Sequence, residues 1–140
     1  MAREDTSAKN VAAARPAPPP DPRLGTVVAG RYRLILRLGS GGMGTVYEAE
    51  QLITRKRVAV KILQSGLGRI DIIRRRFERE ALAASRLDHP NIVSVADFGL
   101  LDDGGLYLAM ELVRGHSLGD VLERGRLSPR RAVLITRQVL

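Results

Sequence analysis

The sequence has 140 residues, 44% of them hydrophobic and 27% charged, with no cysteine and a net charge of +8. This composition can fill the core of one small domain, or of a piece of a larger one, but it excludes disulfides, zinc–thiolate sites and a thiol nucleophile. No apolar run approaches the roughly 18–20 residues of a membrane span, and no secretory signal follows the first methionine, so we expect a cytoplasmic protein with no membrane contact within this chain.

The positive charge comes from arginine, which outnumbers lysine 20 to 3. The arginine runs fall on predicted helices and are interleaved with apolar residues, while aromatic residues that could stack on bases are scarce at 4%. We therefore favour a solvated or partner-facing helix surface and expect no nucleic-acid partner. The alternative is a basic nucleic-acid module, whose affinity would fall steeply with salt.

Residues 1–29 are predicted to be a disordered leader rich in alanine and proline. Five of the seven prolines lie between Pro16 and Pro22. Prolines this dense favour extended polyproline II and exclude a helix or a central strand. The pattern of the sequence changes from residue 31 onward, so we expect the folded domain to occupy residues 30–140.

Three strands are predicted around a glycine-rich connection. Apolar residues alternate with arginines over 31–38, glycines interrupt the pattern over 39–44, and a β-branched and aromatic run resumes over 45–47. Residues 57–63 are predicted to form a third strand, in which alternate residues face opposite sides of the sheet. One face carries Val58, Val60 and Ile62, and the other carries Ala59 and Lys61.

One long helix and two further strands are predicted next. Apolar residues at three- and four-residue spacing indicate a helix over 71–87. Strands are predicted over 92–98 and 106–111, and the turn residues Asp102–Gly105 between them are typical of a hairpin.

Two capping signals mark the last two predicted helices. Ser117 lies three residues before Asp120, which is the spacing of a capping box, and Ser128 stands before Pro129 as an N-cap stands before a first-turn proline. The final helix is still building an apolar face at Leu140 without a stop signal, so we expect the chain to be truncated.

Gly39–Gly44 matches the pattern G-x-G-x-x-G. The pattern alone is weak, because a structural hairpin would explain it equally well. In a dinucleotide-binding fold these glycines open a helix, whereas here strands are predicted on both sides. A glycine loop between two antiparallel strands can fold over phosphates, because glycine lets backbone N–H groups approach closely without a Cβ in the way.

Lys61 and Glu80 are oppositely charged residues on a strand and a helix face that are both predicted to be buried. Lys61 lies in a run of strand-forming apolar residues, and Glu80 falls inside the apolar stripe of the long helix. Pairing the two would satisfy both charges and would hold the lysine rigid for contact with a phosphate. The alternatives are an edge lysine whose ammonium reaches solvent and a helix-surface salt bridge from Glu80 to Arg76 or Arg79.

These motifs together resemble the amino-terminal lobe of a protein kinase, most closely of the bacterial serine/threonine type, over about residues 30–140. Leu38–Val46 looks like the phosphate-covering loop, and Val58–Lys61 resembles the third-strand lysine motif, with Glu80 as its helix C partner. His89–Val93 is similar to the segment that joins helix C to the fourth strand, and Met110–Val113 resembles the gatekeeper and hinge.

The resemblance implies an α+β fold, with a small lobe of five antiparallel strands plus helix C over 30–113 and the first two helices of a large lobe over 114–140. It implies ATP as the cofactor and phosphorylation of protein serine or threonine as the activity, without indicating the protein substrate. Lys61 and Glu80 would be the catalytic residues. The implied nucleotide-binding residues are Leu38, Gly39, Ser40, Gly41, Gly42, Met43, Gly44, Thr45, Val46, Ala59, Lys61, Met110, Glu111, Val113 and, near the ribose, Asp120.

The family's catalytic loop, H-R-D-x-x-x-x-N, does not occur in these 140 residues. Asp97-Phe98-Gly99 could be mistaken for the magnesium-binding D-F-G motif, but it precedes the hinge and has no catalytic loop before it. We expect it to be structural, with Phe98 in the core. Mg²⁺ is expected for the complete family domain, but its ligands are absent here and we assign no metal residues. The chain is predicted to be inactive alone. The alternative is a non-catalytic nucleotide-binding or regulatory fragment that acts through a partner.

Overall fold

An antiparallel sheet of six strands forms the body of the described chain, and three helices accompany it. The computed structural model describes residues 21–42, 44–63, 65–66 and 69–139. The elements are β1 Val27–Val28, β2 Tyr32–Gly41, β3 Gly44–Gln51, β4 Arg57–Leu63, α1 Asp71–Ser85, β5 Val95–Leu100, β6 Leu106–Glu111, α2 Leu118–Glu123 and α3 Pro129–Val139. The strand order across the sheet is β1-β2-β3-β4-β6-β5, which leaves β5 at one edge.

The α+β prediction is confirmed, with one strand more than the five expected. β1 pairs with the start of β2, and Val28 is buried in the core. The predicted leader over 1–29 is therefore wrong for residues 21–29, because the Gly25 N–H donates to the Leu34 carbonyl at 2.8 Å and the Leu34 N–H donates to the Thr26 carbonyl at 2.9 Å. These bonds and the burial of Val28 offset the entropy lost on ordering the segment. Residues 1–20, which include most of the proline-rich run, lie outside the described residues.

The core occupies one face of the sheet. Alternation along β4 places Val60 and Ile62 on this face, as the sequence predicted, and Ala59 and Lys61 on the other. Register shifts in β2, between residues 34 and 36 and between 37 and 39, break the strict alternation that was predicted over 31–38. The buried cluster consists of Val28, Tyr32, Leu34, Tyr47, Ala49, Val60, Ile62, Tyr107 and Ala109.

The α1 helix packs against the edge strand β5. The rings of Phe77 and Phe98 meet edge to face with their centroids 6.3 Å apart. Ala81 is the buried residue of the helix, and the N-cap residue Ile70 provides no side-chain hydrogen bond. β5 begins three residues later than predicted and continues to Leu100, so Asp97-Phe98-Gly99 lies within the strand and not at its end before a turn. The prediction that Phe98 lies in the core is wrong, because its ring is half-buried on the α1 side of the sheet, outside the buried core cluster.

Both predicted caps are present. The Asp120 N–H donates to Ser117 Oγ and the Ser117 N–H donates to Asp120 Oδ2, each at 3.0 Å, which completes a capping box for α2. The α3 helix begins at Pro129, as predicted, with the Arg131 N–H bonded to Ser128 Oγ at 3.4 Å. None of the helices in the described residues combines the length and the apolar character needed to cross a membrane. The predicted apolar end at Leu140 lies outside the described residues.

Candidate functional site

Lys61 lies in the middle of the sheet, on the face opposite the core. Its register partners are Val46 on β3 and Leu108 on β6, and residues paired across antiparallel strands share a face. Lys61 is half-buried. It forms no ion pair with any carboxylate of the described residues. The ammonium group of Lys61 therefore lies in an otherwise apolar row, and no carboxylate of the described residues pairs with it.

The predicted glycine loop is the hairpin between β2 and β3. Gly41 pairs with Gly44 at its tip, and Gly39 pairs with Val46, the residue next to Lys61. The pairing register thus places Gly39, Val46 and Lys61 in one row across three strands. The Arg37 guanidinium donates to Ser40 Oγ at 2.6 Å, which ties the tip to its own strand. Thr45 continues β3 beside Ser40, and Met43 lies outside the described residues.

The glycines of this hairpin differ in what the fold requires of them. Gly44 has a φ of +144°, and a Cβ at this position would lie 2.2 Å from the Ile62 carbonyl oxygen, so β3 and β4 can approach only because it is glycine. A Cβ at Gly39, Gly41 or Gly42 would meet no atom within 4 Å. Packing within the fold therefore gives no reason for glycine at these three positions.

Ala59 and Met110 form the next row on the same face. They are direct register partners, and Ala59 is buried. Leu36 shares this row through Glu48, because the first register shift of β2 moves it off the core face on which the sequence alternation had placed it. Leu38 is exposed. Within this row, Ala59 and Met110 offer a small apolar surface two residues along β4 from Lys61.

The last residue of β6 and the segment after it hold the remaining predicted site residues. The Glu111 N–H already donates to the Ser94 carbonyl at 3.0 Å, and Val113 is exposed in the loop that follows. Asp120 lies in the first turn of α2, where the hydrogen bonds with Ser117 lower the pKa of its carboxyl below the usual value. The structure therefore gives Asp120 a capping function, and its proposed contact with a ribose stays a prediction.

Glu80 is not brought to Lys61 in this structure. Its side chain is 62% exposed, and its Oε1 accepts a hydrogen bond from Arg76 Nε at 2.8 Å. The prediction that Glu80 lies on a buried stripe is wrong, because α1 packs on the edge strand through Phe77 and Ala81 and leaves the Glu80 flank in solvent. The surface salt bridge, which was the alternative, is the arrangement observed.

Asp97 lies on the core face, on the opposite side of the sheet from Lys61. It pairs with Ala109, whereas its neighbour Phe98 pairs with Leu108 of the Lys61 row. The Asp97 Oδ2 accepts hydrogen bonds from the Tyr32 and Tyr107 hydroxyls at 2.9 and 3.0 Å. It also forms an ion pair with Arg31 at 3.1 Å. Burial, and then the bond to Asp97, raise the pKa of Tyr107 to about 12 and also raise the pKa of Tyr32.

The hydrogen bonds of Asp97 give residues 97–99 a structural role. Their match to the D-F-G motif is therefore a coincidence of sequence. Asp97 is engaged by three side chains behind the sheet, where it joins β5 to the start of β2. The sequence predicted a structural tripeptide but did not indicate its partners, although Tyr32 lies on an alternating run and Tyr107 on a predicted strand. Within the described residues, no group of three histidine or acidic side chains is arranged to hold a metal ion.

Comparison with known proteins gives a consistent result. The family described as the protein kinase domain matches residues 32–140. The serine/threonine-protein kinase pkn3 of Myxococcus xanthus is 45% identical over 124 residues, which cover 88% of this chain and 23% of that protein. The serine/threonine-protein kinase PrkC of Bacillus subtilis is 42% identical over 118 residues, covering 84% of this chain and 18% of that protein. The crystal structure of the Mycobacterium tuberculosis PknI kinase domain superposes with a TM-score of 0.71 at 34% identity and covers 82% of this chain and 46% of that one.

Proposed function

The chain belongs to the protein kinase domain family, and we propose that it binds ATP on the sheet face that carries Lys61. It spans about a fifth of the length of the curated relatives described above. Protein phosphorylation is therefore proposed for these residues acting together with the remainder of a kinase domain. Serine or threonine is the proposed acceptor, because the matched relatives are serine/threonine-protein kinases.

The observation that carries the proposal is the row of Gly39, Val46 and Lys61. The hairpin and the lysine are separated along the chain, and the register of two strand pairs makes them neighbours on one face. A half-buried ammonium without a partner among the described carboxylates favours an anionic ligand, because pairing recovers part of the free energy lost on desolvation. A phosphate chain supplies such an anion.

The residues present fit a nucleotide. Gly39, Gly41 and Gly42 have open space where a side chain would be, so their backbone could approach phosphates closely. Lys61 would pair with phosphate oxygens, and the apolar row of Ala59 and Met110 would cover one side of the adenine. The proposed hinge at Met110–Val113 would reach the adenine edge, and Asp120 would reach the ribose. When bound, ATP supplies the phosphoryl group that a kinase transfers.

We also propose that the 140 residues cannot complete the transfer themselves. The sequence has no H-R-D-x-x-x-x-N segment, which in the family provides the acceptor of the hydroxyl proton and one magnesium ligand. The glycine hairpin and Lys61 can position phosphates, and catalysis by this family depends on positioning together with those absent groups. The chain thus carries the nucleotide-binding half of the site.

The proposal is tested by titrating the chain with a fluorescent ATP analogue. Lys61→Ala should weaken binding by about tenfold or more, because it removes the cation of the phosphate site. Lys56→Ala is the matched control, since Lys56 is an exposed lysine in the loop just before β4 and should leave the Kd unchanged. Equal Kd values for Lys61→Ala and the unmodified chain would contradict the proposal, as would the absence of saturable binding by the unmodified chain.

A further inference from the structure

The turn between α2 and α3 borders a cavity that is lined by several cationic side chains. The cavity has a volume of about 460 Å³ and is open to solvent. None of the described residues proposed to bind ATP lines it. Arginines line it at positions 124, 126 and 131, and the half-buried side chains of Val121 and Leu127 contribute apolar surface.

The short connection between the two helices brings these arginines together. Arg124 is the C-cap residue of α2, and Gly125 then takes a φ of +144°, a conformation that favours glycine. α3 begins at Pro129, and the Arg131 N–H donates to Ser128 Oγ at 3.4 Å, so Arg131 lies in the first turn. The change of chain direction therefore places arginines from the end of one helix and the start of the next around the same cavity.

The positive charges around this cavity have no carboxylate partner within the described residues. Residues 114–139 contain six arginines and two carboxylates, which is an excess of four positive charges. The two carboxylates, Asp120 and Glu123, do not line the cavity, and Asp120 Oδ2 accepts the Ser117 N–H in the capping box. The ion pairs of the described residues all lie before residue 104. The arginines of the cavity are therefore available to an anionic ligand.

The chemistry of the lining favours a phosphate group. Guanidinium groups bind phosphate oxygens through paired N–H donors, and a dianionic phosphate can engage more than one arginine. Ser128 Oγ accepts the Arg131 N–H, so its hydroxyl proton can be donated to the same anion. No phenylalanine or tyrosine of the described residues lines the cavity, so it offers no such ring on which a nucleic-acid base could stack. Val121 and Leu127 instead offer apolar surface to a protein side chain.

We propose that this cavity binds a protein segment that carries a phosphorylated serine or threonine. The phosphate pairs with Arg124, Arg126 and Arg131, and neighbouring side chains of the segment pack on the apolar part of the lining. The choice of phosphoserine or phosphothreonine over other phosphates rests on the proposed function, because such segments are the products of serine/threonine-protein kinases. The anion site itself rests on the arginines alone. Binding there would direct the chain to proteins that already carry a phosphate.

The test is a fluorescence anisotropy titration of the 140-residue chain with a short labelled peptide that has one central phosphothreonine flanked by alanine and leucine. Saturable binding is expected, and the same peptide without the phosphate should bind at least about tenfold more weakly. Arg126→Gln combined with Arg131→Gln should weaken the Kd for the phosphopeptide about tenfold, because charge-assisted hydrogen bonds to the phosphate are lost. Arg75→Gln combined with Arg79→Gln is the matched control, since it removes two exposed arginines from α1 and should leave this Kd unchanged.

Two further variants separate specific recognition from general electrostatics and from the ATP site. Arg126→Lys combined with Arg131→Lys keeps both charges but loses the paired donors, so it should also weaken phosphopeptide binding while circular dichroism shows an unchanged fold. Lys61→Ala should leave the Kd for the phosphopeptide unchanged. A failure of the proposed ATP site is therefore distinguishable from a failure of the proposed phosphopeptide site.

The proposal is overturned if the unmodified chain does not bind the phosphopeptide, or if it binds the unphosphorylated peptide equally well. It is also overturned if the α1 control loses as much affinity as the glutamine variant of Arg126 and Arg131, or if Lys61→Ala abolishes binding of the phosphopeptide. A single-stranded DNA oligonucleotide that binds more tightly than the phosphopeptide, and that loses affinity in the same glutamine variant, would overturn it in favour of a nucleic-acid ligand.

Discussion

Replacing Asp97 by alanine is expected to destabilise the fold while leaving the proposed nucleotide site intact. The Asp97 side chain is 19% exposed and accepts hydrogen bonds from the hydroxyls of Tyr32 and Tyr107, both of which are buried. Removing the acceptor leaves two buried donors without a partner, at a cost of about 1–3 kcal/mol each. Arg31 is half exposed and regains water when it loses its partner, so it adds little. The free energy of unfolding should therefore fall by about 2–6 kcal/mol.

The assay is urea-induced unfolding followed by circular dichroism, with ATP-analogue binding measured on the same preparation. Asp97→Asn, which retains one acceptor oxygen, should lose less stability than Asp97→Ala. Asp88→Ala is the matched control, because Asp88 is an exposed aspartate in the loop after α1. The free energy of unfolding of this variant should stay within about 0.5 kcal/mol of that of the unmodified chain. Equal stability of Asp97→Ala and the Asp88 control would refute the network. A fully folded Asp97→Ala chain that no longer binds nucleotide would refute the claim that the Asp97 network is separate from the proposed nucleotide site.

Three further outcomes are expected. Gly44→Ala should lower the free energy of unfolding by at least about 2 kcal/mol in thermal melts, because the new Cβ would lie 2.2 Å from the Ile62 carbonyl oxygen. Gly41→Ala is the control, since a Cβ there meets open space and should change the free energy of unfolding by less than about 1 kcal/mol. The contribution of Tyr107 to the free energy of unfolding should be fully present below about pH 10 and lost as the pH rises through about 12, because the fold raises the pKa of Tyr107 from 10.0 to about 12. Tyr107→Phe should therefore weaken the dependence of stability on pH in this range. The 140-residue chain should not transfer radiolabelled phosphate from ATP to protein, and transfer that disappears in Lys61→Ala would show that the site is complete.

The sheet was largely predictable from the sequence because its signals are local. Alternation over 57–63 correctly separated the core residues from Lys61, and the glycines at 39–44 marked the hairpin. The two register shifts in β2 were not predictable, since a bulge depends on the pairing with β3 rather than on the strand's own pattern. Strict alternation over 31–38 would place Leu36 on the core face, whereas the first shift moves it to the Lys61 face. The short strand β1 was missed for a related reason, because two residues are too few to show a period.

The position of Glu80 could not be predicted, since it depends on how one element packs on another. The spacing of apolar residues correctly indicated a helix over most of 71–87, and the observed helix ends at Ser85. Which flank of that helix is buried depends on the ring contact between Phe77 and Phe98, which joins two elements distant in sequence. Arg76, one turn before Glu80, then satisfies the carboxylate in solvent. Pairing of Glu80 with Lys61 would require α1 to pack further over the sheet.

The most direct test of ATP binding at Lys61 is to label the chain with an acyl-phosphate derivative of ATP, which transfers its acyl group to a lysine close to the bound phosphates. The chain has three lysines, Lys9, Lys56 and Lys61, so peptide mass spectrometry can assign every labelled site. We predict that Lys61 is labelled preferentially and that excess unmodified ATP protects it. Labelling of Lys9 or Lys56 to the same extent as Lys61, or labelling of Lys61 that ATP does not reduce, would contradict the account.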